Sequence, residues 1–157
     1  MALSFDQAFE RLIGHEGGYS NDKNDPGGET NFGVSKRSYP NVDIKNLTLD
    51  GAKAIYLRDY WFPAACDKLP DAVNFDVFDM AVNSGVKTAI KTLQDATGVP
   101  SDGVIGPVTI AAIQQADQAR LAARFNGARL MFMAGLPVWP AFGKGWARRI
   151  AANLLAL

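Results

Sequence analysis

The sequence is poor in the residues that build cross-links and metal centres. Its 157 residues include one cysteine and one histidine, which excludes an intramolecular disulfide and argues against a zinc site built from a Cys/His cluster. No apolar run approaches the roughly 18–20 residues of a membrane-spanning helix, and the first six residues lack the basic and apolar regions of a signal peptide. We therefore expect a protein made in the cytoplasm that uses neither a metal nor a cofactor.

Acidic residues are absent from the last quarter of the chain. Lys and Arg together number 16, as do Asp and Glu, so the formal net charge is zero, and this balance argues against a nucleic-acid-binding protein. Residues 118–157, termed the basic tail here, nevertheless hold six basic residues and no acidic one. The basic tail also carries Trp139, Phe142 and Trp146, so it could contact an anionic envelope surface. The alternative is a helix that packs its apolar stripe on the core and leaves its arginines in water.

Hydrophobic periodicity predicts α-helix over most of the chain. Ser4 and Gln7 have the spacing of a capping box, ahead of a helix that we expect to end at Gly17–Gly18. Similar patterns predict helices over residues 48–61, 70–85, 86–97, from 107 onward, 117–134 and 144–157. Residues 17–36 differ because Gly, Asn, Asp and Pro dominate them, and this composition predicts a small irregular β-hairpin. The predicted fold is thus mainly α, with one short β lobe near the N-terminus.

Two carboxylates flank the first part of the hairpin segment. Glu16 follows the apolar residues of the first helix at helical spacing, which predicts that it lies on their face in the last turn. Burial and the negative end of the helix dipole both raise a carboxyl pKa, as a general acid for glycoside cleavage requires. Asp25 should stay ionised in its polar turn, and Thr30 could hold a water or orient Asp25, giving the two-carboxylate pattern of glycosidases. The alternative is that Glu16 is only solvated and that the turn after Asp25 is only structural.

Several short motifs follow one another along the chain. They are EGGY at residues 16–19, DPGGETNFGVS at 25–35, Tyr60-Trp61 with Pro63, FDMAVNSG at 78–85, Leu93-Gln94, DGVIGPVT at 102–109 and GWARR at 145–149. Taken together, these motifs resemble glycoside hydrolase family 108, a family of lysozyme-like N-acetylmuramidases found as phage and prophage endolysins. The segment from about residue 86 is similar to the peptidoglycan-binding region described for this family.

The resemblance implies a lysozyme-like fold and cleavage of the β-1,4 bond between N-acetylmuramic acid and N-acetylglucosamine in peptidoglycan. It assigns the role of catalytic glutamate to Glu16. The spacing of Glu16, Asp25 and Thr30 also resembles the Glu–Asp–Thr triad of phage-type lysozymes, although the threonine of that triad lies one residue further on. By analogy with those enzymes we favour inversion at the anomeric carbon. The resemblance implies no metal and no cofactor.

Three further residues are candidates for substrate binding. Tyr60 and Trp61 could stack on sugar rings, although aromatic residues near helix ends also belong to cores and rims. Asn83 could bind the N-acetyl group of a sugar. The alternative for Asn83 is a residue that only precedes the glycine ending its helix, and the resemblance favours the binding role.

The sequence predicts a single lysozyme-like domain spanning residues 1–157. Its two parts would be a catalytic-motif half, residues 1–85, and a helical peptidoglycan-binding-like half, residues 86–157, packed as one unit. We expect a monomer that acts on peptidoglycan glycan strands, an endolysin without a signal peptide that reaches the wall through a holin-type membrane lesion. Two alternatives are a lytic transglycosylase that uses Glu16 alone and leaves a 1,6-anhydro product, and a non-catalytic peptidoglycan-binding protein.

Overall fold

The computed structural model describes residues 3–14 and 18–157. Over these residues it contains seven α-helices and one two-stranded antiparallel sheet, which confirms the predicted mainly α fold. The chain divides into two compact units, one made of residues 4–59 and the other of residue 3 with residues 60–157. They are termed the hairpin unit and the helical unit. The packing of residues 1–85 and residues 86–157 as a single domain stays a prediction.

The hairpin unit begins with α1, Phe5–Ile13. Ser4 caps this helix as predicted, because Ser4 Oγ accepts a hydrogen bond from Gln7 N at 3.3 Å and Gln7 Oε1 accepts one from Ser4 N at 3.0 Å. The helix ends earlier than predicted. Its last residue precedes Gly14, which adopts a φ of 55°, a left-handed value that glycine tolerates and that interrupts the helical path. The predicted end of the first helix is therefore wrong by roughly one turn.

The β lobe is a hairpin built from β1, Thr30–Asn31, and β2, Val34–Ser35. Ser20 adds an isolated bridge to Thr30, so three short extended segments lie side by side. The connecting residues 32 and 33 have φ values of 48° and 74°, the left-handed conformations that a two-residue hairpin turn requires. The predicted small hairpin is confirmed.

The predicted helix over residues 48–61 is present, but its winding changes along its length. Its first part is α2, Leu49–Tyr56. Thr48 caps it by accepting a hydrogen bond from Gly51 N at 3.0 Å. The chain then continues as a π-helix over Leu57–Trp61, the wider winding that often interrupts an α-helix near functional residues.

Five α-helices form most of the helical unit, after a 3₁₀ turn at Cys66–Lys68. They are α3, Asp71–Ser84; α4, Val86–Thr97; α5, Pro107–Gln115; α6, Gln118–Ala134; and α7, Trp139–Leu155. The first four follow the predicted boundaries closely, because glycines end α3 and α4, proline opens α5, and Asp117 caps α6. α7 begins at Trp139 rather than Lys144, since Pro140 fits the first turn of a helix.

The core of the helical unit surrounds α3. Every residue from Val73 to Ala81 is buried, and both α4 and α6 pack against this helix. Burial of each large apolar side chain contributes roughly 1.5–3 kcal/mol. Cys66 joins this core as a buried free thiol, and burial raises its pKa above the usual range. Within the described part of the chain, no helix has the length and apolar character needed to cross a bilayer.

Candidate active site

Asp25 lies in the turn that leads into the hairpin. Its Oδ1 atom accepts a hydrogen bond from Gly27 N at 2.8 Å, and its backbone carbonyl accepts one from Gly28 N at 3.0 Å. These bonds fix the direction of the carboxylate through the backbone, while the residue remains exposed. An exposed carboxylate held in one direction suits a group that stabilises positive charge or accepts a proton from water.

Thr30 occupies the middle of the three extended segments. Its backbone N–H and C=O both pair with Ser20, at 2.8 Å each, and it lies opposite Ser35 in the hairpin. The backbone of Thr30 is therefore fixed from both sides. Among the described residues, none forms a hydrogen bond with the Thr30 hydroxyl, which leaves this group free to donate and accept. Asp25 and Thr30 therefore lie five residues apart, Asp25 in the turn and Thr30 in β1, and their catalytic roles stay a prediction.

Glu29 is a second hairpin carboxylate, which sequence reasoning does not select as a site residue. Its Oε1 accepts a hydrogen bond from Tyr19 Oη at 2.7 Å. That bond, together with the negative charge of Glu29, raises the pKa of the Tyr19 phenol. Glu29 is half-buried, whereas Asp25 is exposed, so the hairpin offers two carboxylates in contrasting surroundings. The sequence feature that could have identified this pair is the presence of Tyr19 and Glu29 on opposite sides of the predicted turn.

Two side-chain hydrogen bonds join the hairpin to neighbouring segments of the chain. Buried Asn31 donates its Nδ2 to the carbonyl of Ile44 at 3.0 Å. Tyr56 of α2 donates its hydroxyl to the carbonyl of Phe32 at 3.0 Å, and a Cβ placed on Gly33 would lie 2.5 Å from that hydroxyl oxygen. Position 33 therefore requires glycine, both for its φ and for the close approach of Tyr56. The hairpin is a fixed support for the polar residues that it carries.

The proposed acid Glu16 and its neighbour His15 lie outside the described residues. The last turn of α1, where the sequence places Glu16, is formed by residues before Gly14. The environment that the sequence predicts for Glu16, and the raised pKa expected from it, therefore stay predictions. Its role stays a prediction that rests on the family motif around it.

Tyr60, Trp61 and Asn83 belong to the helical unit. Trp61 is 4% exposed, and its ring meets the edge of Phe78 with centroids 5.3 Å apart, so it serves the core and has little surface to offer a sugar. Tyr60 is half-buried. Asn83 is exposed, and its Nδ2 donates to the carbonyl of Asp79 at 2.8 Å, which leaves its own amide oxygen to accept from a ligand.

A buried ionic cluster connects two of the motif stretches quoted above, residues 78–85 and 145–149. Asp79, which is 1% exposed, lies 2.6 Å from Nη1 of the fully buried Arg129. Its other carboxylate oxygen accepts a hydrogen bond from Arg149 Nε at 2.8 Å and lies 2.5 Å from Nη2 of the same guanidinium. Two arginines therefore share one carboxylate, and α3, α6 and α7 meet there. Spacing along the sequence gives no sign of this cluster, because its members are far apart in the chain.

Comparisons with known proteins match nearly the whole chain. The sequence profile described as Glycosyl hydrolase 108 matches residues 9–85, and the profile described as Predicted Peptidoglycan domain matches residues 88–151. The solved structure titled "Structure of Brucella abortus SagA" is 35% identical, with a TM-score of 0.86, over 97% of this chain and 92% of that chain. No curated protein matches the sequence.

The chain belongs to glycoside hydrolase family 108. The resemblance inferred from the motifs is thereby confirmed, and with it the lysozyme-like character of the mainly α fold. Membership supports a glycoside hydrolase. The second profile supports peptidoglycan as the partner of this family 108 chain.

The basic tail of this family 108 chain is less free than its composition indicates. Arg129 and Arg149 are paired with Asp79, and Arg124 donates its Nε to the carbonyl of Ala96 at 2.9 Å. Three of its six cations thus make contacts within the helical unit. Contact of the basic tail with an anionic envelope remains a proposal. The alternative, in which the arginines stay in water, does not describe Arg129, which is fully buried.

The described residues of this family 108 chain contain no group of three or more His, Cys, Asp or Glu that could hold a metal ion. Carboxylates of the hairpin segment are the candidates that the sequence offers for glycoside hydrolysis. Asp25, Glu29 and, outside the described residues, Glu16 are the candidates.

Proposed function

We propose that this protein is an N-acetylmuramidase of the lysozyme type, which hydrolyses the β-1,4 bond between N-acetylmuramic acid and N-acetylglucosamine. The observation that carries the proposal is the braced hairpin, which holds the exposed Asp25 carboxylate nine residues after the motif glutamate Glu16. Family membership and the matched peptidoglycan profile support the choice of substrate. The cleaved bond, the acid and the biological role are parts of this proposal.

In the proposed reaction, Glu16 gives its proton to the glycosidic oxygen as the bond from that oxygen to the anomeric carbon breaks. Positive charge develops on the sugar ring. Asp25 either stabilises that charge or accepts the proton of a water that adds to the anomeric carbon, and the Thr30 hydroxyl holds this water. In the second case Glu16 ends deprotonated and Asp25 protonated, and a proton passes through solvent to restore both groups. The product then has the inverted configuration, which we favour.

The rigidity of the hairpin supports this assignment. The Asp25 carboxylate is fixed by its own turn, and the Thr30 backbone by pairing on both sides, so the backbone that carries both groups is ordered before substrate binds. Tyr60 and Asn83 are proposed to contact the glycan strand, Tyr60 with its ring and Asn83 with its amide. Trp61 is proposed to support that region from the core, in accord with its burial.

The decisive experiment compares the parent with Glu16→Gln on purified sacculi stripped of outer membrane. We expect the parent to clear the suspension and release reducing ends, and the variant to lose about 10²–10⁴-fold in rate, the contribution typical of a general acid. Mass spectrometry of the fragments names the bond. A 1,6-anhydro product would indicate a lytic transglycosylase instead. Binding without release of fragments by the parent would indicate a non-catalytic protein.

The second carboxylate is tested by Asp25→Asn and Glu29→Gln. If Asp25 acts as proposed, its variant loses about a hundredfold or more in turnover, with far-UV circular dichroism unchanged. Glu29→Gln keeps an acceptor for the Tyr19 hydroxyl and should lose much less. The reverse order would transfer the role from Asp25 to Glu29, and NMR of the initial anomer would report inversion or retention for either.

The biological part of the proposal is an endolysin, monomeric in solution, that attacks the wall after a holin-type lesion opens the membrane. Expression in a bacterial cytoplasm should leave cells intact until chloroform permeabilises the membrane. Light scattering should give the mass of one chain, 16.9 kDa. Lysis before permeabilisation would contradict the need for a lesion.

A further inference from the structure

A groove crosses the surface of the helical unit between α4 and α6. One face of each helix lines it, with residues spaced three or four apart, which is the spacing of a continuous helical stripe. Its volume is about 600 Å³, within the roughly 300–1,000 Å³ typical of ligand pockets. None of the residues considered above for hydrolysis lines this groove.

The α6 wall of the groove is apolar and exposed. Met131 is 77% exposed and Phe132 is 38% exposed, and both border the groove beside Ala128. The small side chain of Ala128 leaves room between the two helices. Neighbouring thioether and aromatic side chains that face solvent indicate a contact surface more than a contribution to folding.

The α4 wall is polar and carries both charges. Lys91 and Asp95 lie one turn apart on it, and Thr88 precedes them by one turn. Asp95 accepts a hydrogen bond from Ser101 Oγ. Lys91 forms no ion pair or hydrogen bond with the described residues, so its ammonium is available to an anionic group.

One apolar wall facing one polar wall matches the two kinds of surface on a sugar ring. The C–H face of a pyranose is apolar and packs on aromatic and thioether groups, while its hydroxyl and amide edge needs donors and acceptors. N-acetylmuramic acid adds a lactyl carboxyl group, which is either a free anion or an amide that joins the sugar to a peptide stem with carboxylates of its own. In either form the strand carries an anion that complements the Lys91 ammonium.

We propose that this groove is a second binding site for the peptidoglycan glycan strand, separate from the residues that carry hydrolysis. All its lining residues fall within residues 88–151, the segment matched by the Predicted Peptidoglycan domain profile. The proposal rests on the proposed function only in its choice of peptidoglycan as the ligand. Such a site keeps the enzyme on an insoluble wall between cleavage events and raises the local concentration of bonds to cut.

The test measures binding with hydrolysis removed. In the Glu16→Gln background, proteins carrying Phe132→Ala, Lys91→Ala or both are sedimented with purified sacculi, and the dissociation constant is read from the unbound fraction. Leu130→Ala and Lys87→Ala are the matched controls, because Leu130 is 37% exposed on the same helix as Phe132 and Lys87 is an exposed lysine on the same helix as Lys91. We expect the double variant to bind about tenfold more weakly and the controls to bind as their background does.

A second measurement locates the contact. In ¹H–¹⁵N spectra, a soluble disaccharide-peptide from digested sacculi should shift the amide signals of residues 88–95 and 128–132. Removal of the peptide stem and of the muramyl carboxyl from this ligand should weaken its binding to the protein that retains Lys91. The same removal should change binding to the Lys91→Ala variant little. Shifts confined to other residues would overturn the proposal.

The remaining outcomes separate this proposal from the proposed hydrolysis. If the parent releases no reducing ends but loses wall binding through the groove substitutions, the hydrolysis fails and the groove stands. If the parent hydrolyses walls and the double variant sediments as tightly as its background, the groove proposal is overturned. It is equally overturned if the substitutions abolish self-association in sedimentation velocity without changing wall binding, since the groove would then join two copies of the chain.

Discussion

The hairpin unit and the helical unit are ordered by different kinds of interaction. In the hairpin unit, regular structure is short, and side chains hold the backbone directly, as Asn31 does for Ile44, Tyr56 for Phe32 and Lys36 for Val42. In the helical unit, long helices satisfy their own backbone groups, and a buried ionic cluster joins three of them. The hairpin unit can therefore leave carboxylates at the surface in fixed positions without burying them.

One loop of the helical unit is built in the manner of the hairpin. Fully buried Gln94 of α4 donates its Nε2 to Asp102 Oδ1 at 2.8 Å and to the carbonyl of Val104 at 2.9 Å, and its Oε1 accepts from Gly103 N at 2.9 Å. Irregular backbone near a core must find partners for its polar groups. The contrast between the units is thus one of local backbone regularity, and three substitutions test it.

The largest effect is expected in the ionic cluster. Asp79→Leu removes the counter-charge of fully buried Arg129, and breaking a buried pair in this way costs about 3–5 kcal/mol of unfolding free energy. Urea denaturation followed by far-UV circular dichroism measures the loss. The double variant Asp79→Leu with Arg129→Met should recover most of it, because replacing both charges by apolar groups is often close to neutral. Equal losses in the single and double variants would show that the charges do not determine the stability of this cluster.

An intermediate effect is expected at the hairpin turn. Gly33→Ala forces a positive φ on a residue with a Cβ and brings that Cβ against the Tyr56 hydroxyl, at a cost of roughly 1–3 kcal/mol. We expect the change to distort the hairpin and lower wall hydrolysis, while the helical circular dichroism signal persists. Tyr56→Phe in the same chain removes the obstructing oxygen and should restore part of the loss. No restoration would mean that the φ value alone requires glycine.

The smallest effect concerns the Gln94 loop and depends on pH. The hydrogen bonds from the Gln94 amide and the Val104 N–H lower the pKa of Asp102 below its unfolded value, so its ionised form stabilises the fold above that unfolded value, about 3.9. The contribution is lost as pH falls through the lower folded pKa. Asp102→Asn should therefore be less stable than the parent at pH 7, and the difference should shrink towards pH 3 in thermal melts. The same difference at both pH values would exclude a role for the charge.

The sequence predicts the helical unit better than the hairpin unit. Helices α3 to α6 follow from apolar periodicity together with Gly85, Gly98, Pro107 and Asp117, because these signals are local and agree with one another. The end of α1 was predicted wrongly, since Gly14 breaks the helix before the glycine pair that was expected to do so. When several glycines follow one another closely, local sequence patterns do not identify which of them ends the helix.

The sequence predicts the candidate site only where its residues lie close together along the chain. Asp25 and Thr30 lie five residues apart, one in the turn and the other in the first strand of the hairpin, so their local structure follows from their spacing. The pairing of Glu29 with Tyr19, and that of Asp79 with two arginines, depend on folding over longer distances. The sequence around Trp61 fits both a ring buried in the core and an exposed ring that stacks on a sugar. Only the packed structure shows that the ring is buried. Glu16 stays a prediction from the family motif.

Because Cys66 is buried, its reaction with a thiol reagent measures how often the helical unit opens. It is the only cysteine in the chain, it is 1% exposed, and it lies in the 3₁₀ turn that precedes α3. A thiol reagent in solution can therefore react only after this turn separates from the core, and the raised pKa of the thiol slows reaction further. The labelling rate of the unaltered protein gives the frequency of that opening. The change in this rate when wall fragments are added gives the change in the free energy of opening that their binding causes.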